Sequence, residues 1–347
     1  MEAEYGRIEA RMRAAILSEG RFSVETVPDP TPAPDGVVLA VSACGLCGTD
    51  HSIYRSRLLP DGAILGHEFA GTVVEVGAHV REWEVGDRAA VLPIPYCGRC
   101  ELCAAGRQNL CIAGLGEMMG CGGAPGALAE LVAAPLSSLR RLPSSLEPHL
   151  GALVEPLAVA WRAVNLGDVS PGTRVGVIGL GPLGLFAGLI ARQKGALVFG
   201  TDIRPKRVAW AHRLGLGAFL ADDQPDVRIR DLTGGGPEVV FEASGRPEAI
   251  ERAANLSRVG GRVVLVASYH TPAQMTPGSW FNRGVSLLPS IAYTPGEFEE
   301  ALDSIASRRI DVAPLITSVH PLAEVGAVFE RFATQSEDVK LLIDPAR

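Results

Sequence analysis

Residues 175–184 read Val-Gly-Val-Ile-Gly-Leu-Gly-Pro-Leu-Gly, an apolar strand pattern that runs directly into glycines spaced as G-x-G-x-x-G. Such glycines allow a tight strand-to-helix turn and let the backbone approach a pyrophosphate at the helix N-terminus. A second predicted strand ends at Asp202, about 20 residues further on, where a carboxylate can bind ribose hydroxyls. A glycine turn alone can be purely structural, but this setting favours a dinucleotide-binding site.

The sequence around this motif alternates between buried strands and helix-period stretches, which predicts a doubly wound α/β domain. The predicted strands are Val175–Ile178, Leu197–Thr201, Val239–Glu242, Val263–Ala267 and Val285–Leu288, with helices at Leu183–Lys194 and Pro205–Leu214.

The chain before Gly151 has a different texture. Short Val-rich runs bounded by Gly, Pro or Asp predict a compact, barrel-like β domain. These runs are Ala14–Ser18, Gly36–Ser42, Gly71–Val76 and Asp87–Pro93. From Tyr293 a helical pattern is followed by a strand-like stretch at Lys340–Ile343, and by pattern alone this tail could close either domain.

Length and composition agree with two globular domains. The chain has 347 residues, of which 47% are hydrophobic and 20% charged. The net charge of −7 argues against general affinity for nucleic acid or anionic membranes. No apolar run of about 18 residues predicts a membrane span, and residues 1–13 lack the apolar core of a signal peptide. Seven cysteines, an odd number, favour metal or catalytic thiols over disulfides. We therefore expect a soluble cytoplasmic protein.

Four cysteines lie at metal-ligand spacing. Cys97, Cys100, Cys103 and Cys111 form C-x2-C-x2-C-x7-C. Four thiolates make a closed tetrahedral site that suits zinc and leaves no position for a substrate. An iron–sulfur cluster and four unpaired thiols are the alternatives. The spacing favours a structural zinc.

A second set of ligand types is dispersed along the chain. Cys47 lies in the stretch Gly-Leu-Cys-Gly-Thr-Asp, His67-Glu68 follows about 20 residues later, and Glu155 comes much further on. Cysteine, histidine and carboxylate together suit a catalytic zinc, which keeps one coordination position open. Each residue alone is a weak signal, and the combination with the other two motifs makes the set specific.

Together these motifs resemble the zinc-containing medium-chain dehydrogenase/reductase family, in the branch of sorbitol, threonine and butanediol dehydrogenases. The matching stretches are CGLCGTD, GHEFAGTVVEVG, the cysteine lobe, EPLAVAWRAV, VIGLGPLG and TDIRPKR. The resemblance implies a GroES-like catalytic domain over residues 1–153 with a zinc lobe at 95–112. It also implies a Rossmann cofactor domain over 154–292 and a C-terminal return to the catalytic domain over 293–347.

The resemblance also implies roles for individual residues. Cys47 and His67 would hold the catalytic zinc, with Glu68 and Glu155 both open as the third ligand, and Thr49 would take the alcohol proton. The residues implied for the dinucleotide are Gly179, Gly181, Leu183 and Gly184 at the pyrophosphate, Asp202 and Arg207 at the adenosine ribose, and Val266, Ala267 and Ser268 beside the nicotinamide.

The chain departs from the family pattern at one place. Relatives often carry a histidine five residues after the zinc cysteine, as the outer member of a proton relay. Here Ser52 stands at that position and His51 lies one residue early, so His51 is equally well interpreted as a solvated surface residue. Residues 1–11 extend beyond the usual start, and we assign them no function.

The expected activity is reversible, NAD-dependent oxidation of a secondary alcohol or polyol to a ketone, with two zinc ions per chain. A threonine, amino-alcohol or sugar-alcohol dehydrogenase of the same family is an alternative, as is a non-catalytic zinc- and dinucleotide-binding sensor. A zinc-free quinone or enone reductase would lack Cys47, His67 and the cysteine lobe. We expect a small-molecule substrate, no nucleic-acid or membrane partner, and a homodimer or homotetramer joined through an apolar strand at Val285–Ile291.

Overall fold

Two sheets of different construction organise the chain. The computed structural model describes residues 11–335 and 338–347, so residues 1–10 of the N-terminal extension lie outside the described residues. The strands are β1 (Arg11–Ser18), β2 (Arg21–Pro28), β3 (Gly36–Gly45), β4 (Ala63–Ile64), β5 (Glu68–Val76), β6 (Arg88–Val91), β7 (Leu131–Pro135), β8 (Leu139–Arg141), β9 (Arg174–Ile178), β10 (Leu197–Asp202), β11 (Gly217–Leu220), β12 (Val239–Glu242), β13 (Arg262–Leu265), β14 (Ser286–Pro289), β15 (Ile316–Pro321) and β16 (Lys340–Asp344).

The helices lie between these strands and are concentrated in the second half of the chain. They are α1 (Gly48–Ser56), α2 (Glu101–Ala104), α3 (Ile112–Gly116), α4 (Pro148–Gly151), α5 (Val154–Leu166), α6 (Pro182–Gln193), α7 (Pro205–Arg213), α8 (Pro225–Thr233), α9 (Pro247–Leu256), α10 (Pro277–Phe281), α11 (Pro295–Ala306) and α12 (Val325–Gln335). Within the described residues, no helix combines the length and apolar character needed to span a membrane.

The first large sheet is assembled from both ends of the chain. Its strand order is β15-β16-β3-β5-β6-β8, with β7 paired along β3. A smaller sheet, β2-β1-β4, lies beside it in the same half of the chain. Because β16 pairs antiparallel with β3, the last two strands of the C-terminal tail join the β-rich domain, whereas α11 packs against α5. This pairing brings residues near the C-terminus next to the loop that follows β3.

The second large sheet is entirely parallel, with the order β11-β10-β9-β12-β13-β14. The central strands β9 and β12 are almost completely buried, which explains why their sequences are continuous apolar runs rather than alternating ones. The strand order reverses between β9 and β12, and in open parallel sheets ligands bind at the carboxyl ends of the strands at that point. The predicted combination of a β-rich domain and a doubly wound α/β domain is confirmed.

Several strand boundaries differ from the predicted ones by a few residues, and the difference at β13 bears on the cofactor crevice. The predicted strand Val263–Ala267 ends at Leu265 in the structure, so residues 266–268 leave the sheet. The amide of Val266 still donates to the Glu242 carbonyl oxygen at 2.8 Å, which keeps the start of this loop beside the carboxyl end of β12. The loop therefore emerges on the crevice side of the sheet.

Candidate active site

The four cysteines of the predicted lobe converge on one point. Their sulfur atoms all lie within 4.8 Å of one another, with 3.9 Å between Cys97 and Cys103 and 4.0 Å between Cys100 and Cys111. A zinc ion with Zn–S bonds of about 2.3 Å at the centre of a tetrahedron requires sulfur atoms about 3.8 Å apart. The lobe thus has the dimensions of a single-ion site, whereas a cluster of several iron and sulfide ions would hold its thiolates further apart.

Backbone amides support negative charge on part of this lobe. The Cys111 sulfur accepts hydrogen bonds from the amides of Cys97 and Gly114, at 3.4 and 3.5 Å. Backbone hydrogen bonds from Arg99 and Cys100 lower the pKa of the Cys97 thiol to about 6. Burial raises the pKa of Cys103 to about 12, so this thiol needs a cation before it ionises. A metal ion supplies that charge.

The second set of ligands is brought together by strand pairing. Cys47 follows β3 as the N-cap of α1, and His67 immediately precedes β5. Gly45 and Glu68 are direct partners in the β3–β5 ladder, so the two strand ends meet. One ligand atom from each of Cys47, His67 and Glu68 lies within 4.8 Å of the others. A side chain at Gly45 would displace the Glu68 carboxylate and the end of the Lys340 side chain from their positions.

Asp50 is a member of this site that the sequence analysis did not identify. Its Oδ1 lies 3.1 Å from Nδ1 of His67, and its Oδ2 accepts a hydrogen bond from the Cys47 amide at 3.0 Å. A carboxylate on Nδ1 fixes the histidine tautomer and leaves Nε2 for a metal. Asp50 is fully buried and stands third in α1, where an acidic residue completes a capping box. That local signal was visible in the Cys-Gly-Thr-Asp sequence.

The His67 ring also contacts Cys121, whose sulfur lies 3.3 Å from Nδ1. Burial by itself lowers the pKa of His67, but Asp50 and Cys121 outweigh it and raise that pKa well above its usual value. Cys121 lies outside the motifs quoted from the sequence. The structure places it against the ring nitrogen that Asp50 also holds.

Lys340 is a further member of this site that no sequence motif identified. It forms an ion pair with Glu68, and both side chains are only 1% exposed. Its ammonium group also donates to the Leu46 carbonyl oxygen at 3.0 Å. Burial alone lowers the pKa of Lys340, but Glu68 and the nearby Cys47 raise it above its usual value. No local pattern links β16 to this site, because the contact depends on the return of the tail to β3.

Glu155 lies in the first turn of α5 and is not among the three residues whose ligand atoms converge. It is close enough to interact electrostatically with Glu68 and His67. Burial raises the pKa of Glu155 to about 7, and the Glu68 charge adds to that rise, while His67 opposes it. Tyr293 adjoins Glu155 on the buried side, where burial and the Glu155 charge raise the pKa of the phenol. Glu68 therefore belongs to the converging ligand set, whereas Glu155 lies beside that set.

Thr49 and His51 both lie in α1 but have different surroundings. Thr49 is half-buried in the first turn, where its amide donates to the Cys47 sulfur at 3.5 Å. The His51 ring instead lies 6.0 Å from the ring of Phe332 in α12. Burial, reinforced by Arg55, lowers the pKa of His51. His51 packs on the α12 side of α1.

The dinucleotide loop has the backbone that its glycines predict. Gly179 has φ of +91°, and a side chain at Gly184 would overlap the Gly179 carbonyl oxygen. Gly181 is the N-cap of α6, and Leu183 lies in that helix's first turn. The α6 N-terminus thus opens towards the crevice with room for the close approach of a phosphate.

Asp202 and Arg207 lie beside this loop. Asp202 is 7% exposed, and its two oxygens accept hydrogen bonds from the amides of Leu180 and Arg204 at 2.8 and 2.9 Å. The Arg207 guanidinium lies 3.8 Å from the Asp202 carboxylate. Burial lowers the pKa of Arg207, and Asp202 opposes that effect. The residues Val266, Ala267 and Ser268 lie on the loop after β13, across the strand ends from Asp202.

Two family models match the chain, and several known proteins resemble it over nearly its full length. Residues 33–144 match the alcohol dehydrogenase GroES-like domain, and residues 182–307 match the zinc-binding dehydrogenase domain. The chain is 32% identical over 336 residues to 2-dehydro-3-deoxy-L-galactonate 5-dehydrogenase of Pseudoalteromonas atlantica, covering 95% of this chain and 98% of that protein. It is 30% identical to the sorbitol dehydrogenase of Halalkalibacterium halodurans, with 96% and 99% coverage.

A solved structure extends the comparison to three dimensions. The zinc-binding dehydrogenase of Sinorhizobium meliloti 1021, bound to NADP, superposes with a TM-score of 0.89 at 31% identity. The superposition covers 97% of this chain and all of that one.

Proposed function

This chain belongs to the zinc-binding alcohol dehydrogenase family, and from that premise we propose that it transfers hydride reversibly between a secondary alcohol or polyol and NAD. The observation that carries the proposal is the convergence of ligand atoms from Cys47, His67 and Glu68 within 4.8 Å. Cys47 and the adjacent pair His67-Glu68 lie about 20 residues apart in the sequence, and the fold brings them into one donor set. Their chemistry suits a zinc ion with an open position.

The surroundings of the donor set fit a resident zinc ion. Asp50 holds Nδ1 of His67, so Nε2 remains as the nitrogen that would bind the ion. We propose Glu68 rather than Glu155 as the third ligand, because only Glu68 belongs to the converging set. Lys340 balances the charge that Glu68 would bring into a buried site. The cysteine lobe would hold a second ion with a structural role.

Zinc and the nicotinamide, when bound, supply polarisation of the substrate oxygen and the hydride acceptor. The chain's own residues do the rest. Thr49, in the first turn of α1 and next to the Cys47 sulfur, would accept a hydrogen bond from the substrate hydroxyl, take up its proton and release its own hydroxyl proton to water. The buried residues around the donor set exclude water from the reacting atoms. Burial raises the pKa of Glu155 to about 7, so Glu155 would be able to hold a proton beside the donor set.

The cofactor half of the proposal rests on the crevice between β9 and β12. Gly179, Gly181 and Gly184 would approach the pyrophosphate, and Asp202 would accept hydrogen bonds from the adenosine ribose. A carboxylate there favours NAD, because NADP brings a phosphate against it. The Sinorhizobium relative is bound to NADP, so the cofactor test must include both dinucleotides.

The decisive experiment compares two cysteines in the same segment. Cys47→Ala should lose one of two zinc ions per chain and nearly all turnover across a panel of secondary alcohols and polyols, while still binding NADH. Cys44→Ala is the matched control, because Cys44 is fully buried but is not among the converging ligands; it should keep both ions and its turnover. Near-wild-type turnover in Cys47→Ala would refute the proposal. A wild-type protein with two zinc ions that binds NADH but oxidises no alcohol would instead favour the sensor.

Domain boundaries, assembly and location belong to the same proposal. We place the catalytic domain at residues 1–153, the cofactor domain at 154–292 and the return at 293–347, because β15 and β16 join the first large sheet.

The edge strand β14 would pair with a second copy to give a homodimer or homotetramer, which light scattering would test. None of the seven cysteines forms a disulfide bond, which fits a reducing, cytoplasmic location. Localisation of a tagged chain would test it.

A further inference from the structure

One hydrogen bond joins the helix that begins at the candidate zinc site to the loop that borders the cofactor crevice. Oγ of Ser52 in α1 lies 2.9 Å from Nε2 of His270. The two residues are separated by 218 positions in the chain. Ser52 belongs to the β-rich domain and His270 to the α/β domain. We call residues 266–270 the crossing loop. In the sequence, Ser52 stands where relatives often carry a histidine, and no motif includes His270.

The crossing loop is fixed firmly to the cofactor side. The Tyr269 hydroxyl donates to the Glu242 carboxylate, which is completely buried at the carboxyl end of β12. The same carboxylate accepts a hydrogen bond from the Ser244 amide at 2.9 Å. The Val266 amide bonds the Glu242 carbonyl oxygen. Because β12 adjoins β9, these contacts hold the crossing loop in register with the glycine turn at the end of β9.

The other partner, α1, is fixed equally firmly to the catalytic side. It begins at Cys47, and Asp50 closes its capping box while also holding His67. Thr49 and Ser52 are three residues apart and so lie on neighbouring positions of one helix face. A displacement of Ser52 therefore moves Thr49 and Cys47 with it, because a two-turn helix with a closed cap moves as a unit.

We propose that His270 is a positioning residue that sets the spacing between the cofactor and the catalytic helix across the crevice. The proposal rests on the proposed function, since it assigns the contact a role in hydride transfer. Transfer rates are sensitive to small displacements of the reacting atoms. Binding of the adenosine half is expected to be unaffected, because Asp202 ends β10, three strand positions from the β13 strand that precedes the crossing loop.

The expected effects separate turnover from binding. One hydrogen bond of this kind corresponds to a change of about 3- to 10-fold. We expect His270→Ala and Ser52→Ala each to lower kcat by about that factor, with a change in the NADH dissociation constant of less than about 2-fold. The double variant should be no slower than the slower single variant, because both changes remove the same contact. His270→Gln should recover most of kcat, since its terminal amide reaches about as far as Nε2 and keeps a hydrogen-bonding group.

The test has a readout that needs neither substrate nor turnover. Hydrogen exchange of the unliganded holoprotein should become faster in the crossing loop and in α1 for His270→Ala, and should return towards wild type for His270→Gln. The control is His79→Ala, which removes another exposed histidine contact, the 3.1 Å bond to Asp35 in the catalytic domain; it should change neither exchange in these segments nor kcat.

The proposal is overturned by unchanged exchange in both segments, by additive losses in the double variant, or by failure of His270→Gln to recover kcat. Kinetics use the alcohol with the highest turnover in the panel above. If no alcohol is oxidised, the proposed function fails while the exchange data still report on the contact. Faster exchange with unchanged kcat in an active enzyme refutes the positioning role alone.

Discussion

Replacing Lys340 with methionine isolates the most deeply buried charge pair of the candidate site. The change keeps the length of the side chain but leaves the Glu68 carboxylate, 1% exposed, without its counter-charge. Breaking a buried ion pair by removing one partner costs about 3–5 kcal/mol. The variant also loses the hydrogen bond to the Leu46 carbonyl oxygen, worth about 1 kcal/mol. We therefore expect Lys340→Met to destabilise the zinc-free protein by about 4–6 kcal/mol in all.

The same substitution should cost less when the catalytic zinc is bound, because a dication beside Glu68 replaces the lost charge. This difference depends on Glu68 being the zinc ligand. The double variant Lys340→Met/Glu68→Gln is the control. Without the carboxylate there is no unpaired charge to bury, so removing Lys340 from the Glu68→Gln background should cost roughly 1 kcal/mol.

Local hydrogen exchange of β3 and β16 measures these costs without assuming that both domains unfold together. The assay uses protein in which the catalytic ion has been removed and protein to which it has been restored, verified by metal analysis. A cost below about 1 kcal/mol in the zinc-free protein would contradict the charge argument. An equal cost with and without zinc would show that Glu68 is not a ligand, and Glu155 would then be the candidate.

Three further predictions concern the lobe, the cofactor and the sheet. Cys100→Ser should lower the zinc content from two ions per chain to one, and unchanged content by elemental analysis would contradict the structural-zinc assignment. Asp202→Ala should lower the ratio of kcat/KM for NAD over NADP by at least about fivefold, since like charges about 4 Å apart repel by roughly 1–4 kcal/mol. The variant should also bind NAD itself more weakly, because the Leu180 amide loses its acceptor. An unchanged ratio would mean that another residue selects the cofactor. Hydrogen bonds from Arg174 lower the pKa of Glu238, so this partly exposed pair stabilises the fold above the unfolded pKa of about 4.3 and loses that contribution as the pH falls. Glu238→Gln should therefore cost up to about 1 kcal/mol at pH 7 and progressively less below about pH 4, as measured by hydrogen exchange of β9 and β12; a cost independent of pH would refute the linkage.

Local patterns in the sequence were sufficient for the fold class and for most strands. The motif at 175–184 determined the α/β domain because its glycine positions are set by backbone geometry within ten residues. Gly179 needs a positive φ and Gly184 has no room for a side chain. The cysteine lobe was equally local, since its four ligands lie within fifteen residues. Such features follow from spacing alone, and composition and periodicity supply the rest of the two-domain outline.

The tertiary structure decided what lies around these motifs. The sequence left Glu68 and Glu155 equivalent as candidates, and strand pairing of Gly45 with Glu68 brought only the first into the converging set. Lys340 reaches the site from the other end of the chain, through the pairing of β16 with β3. The contact between Ser52 and His270 spans two domains. These are long-range contacts between residues that have no fixed sequence spacing. The sequence by itself determined which chemical groups the protein possesses and how its local turns are built. Only the fold determined which of those groups share a buried, low-dielectric environment, where their charges and pKa values depend on one another.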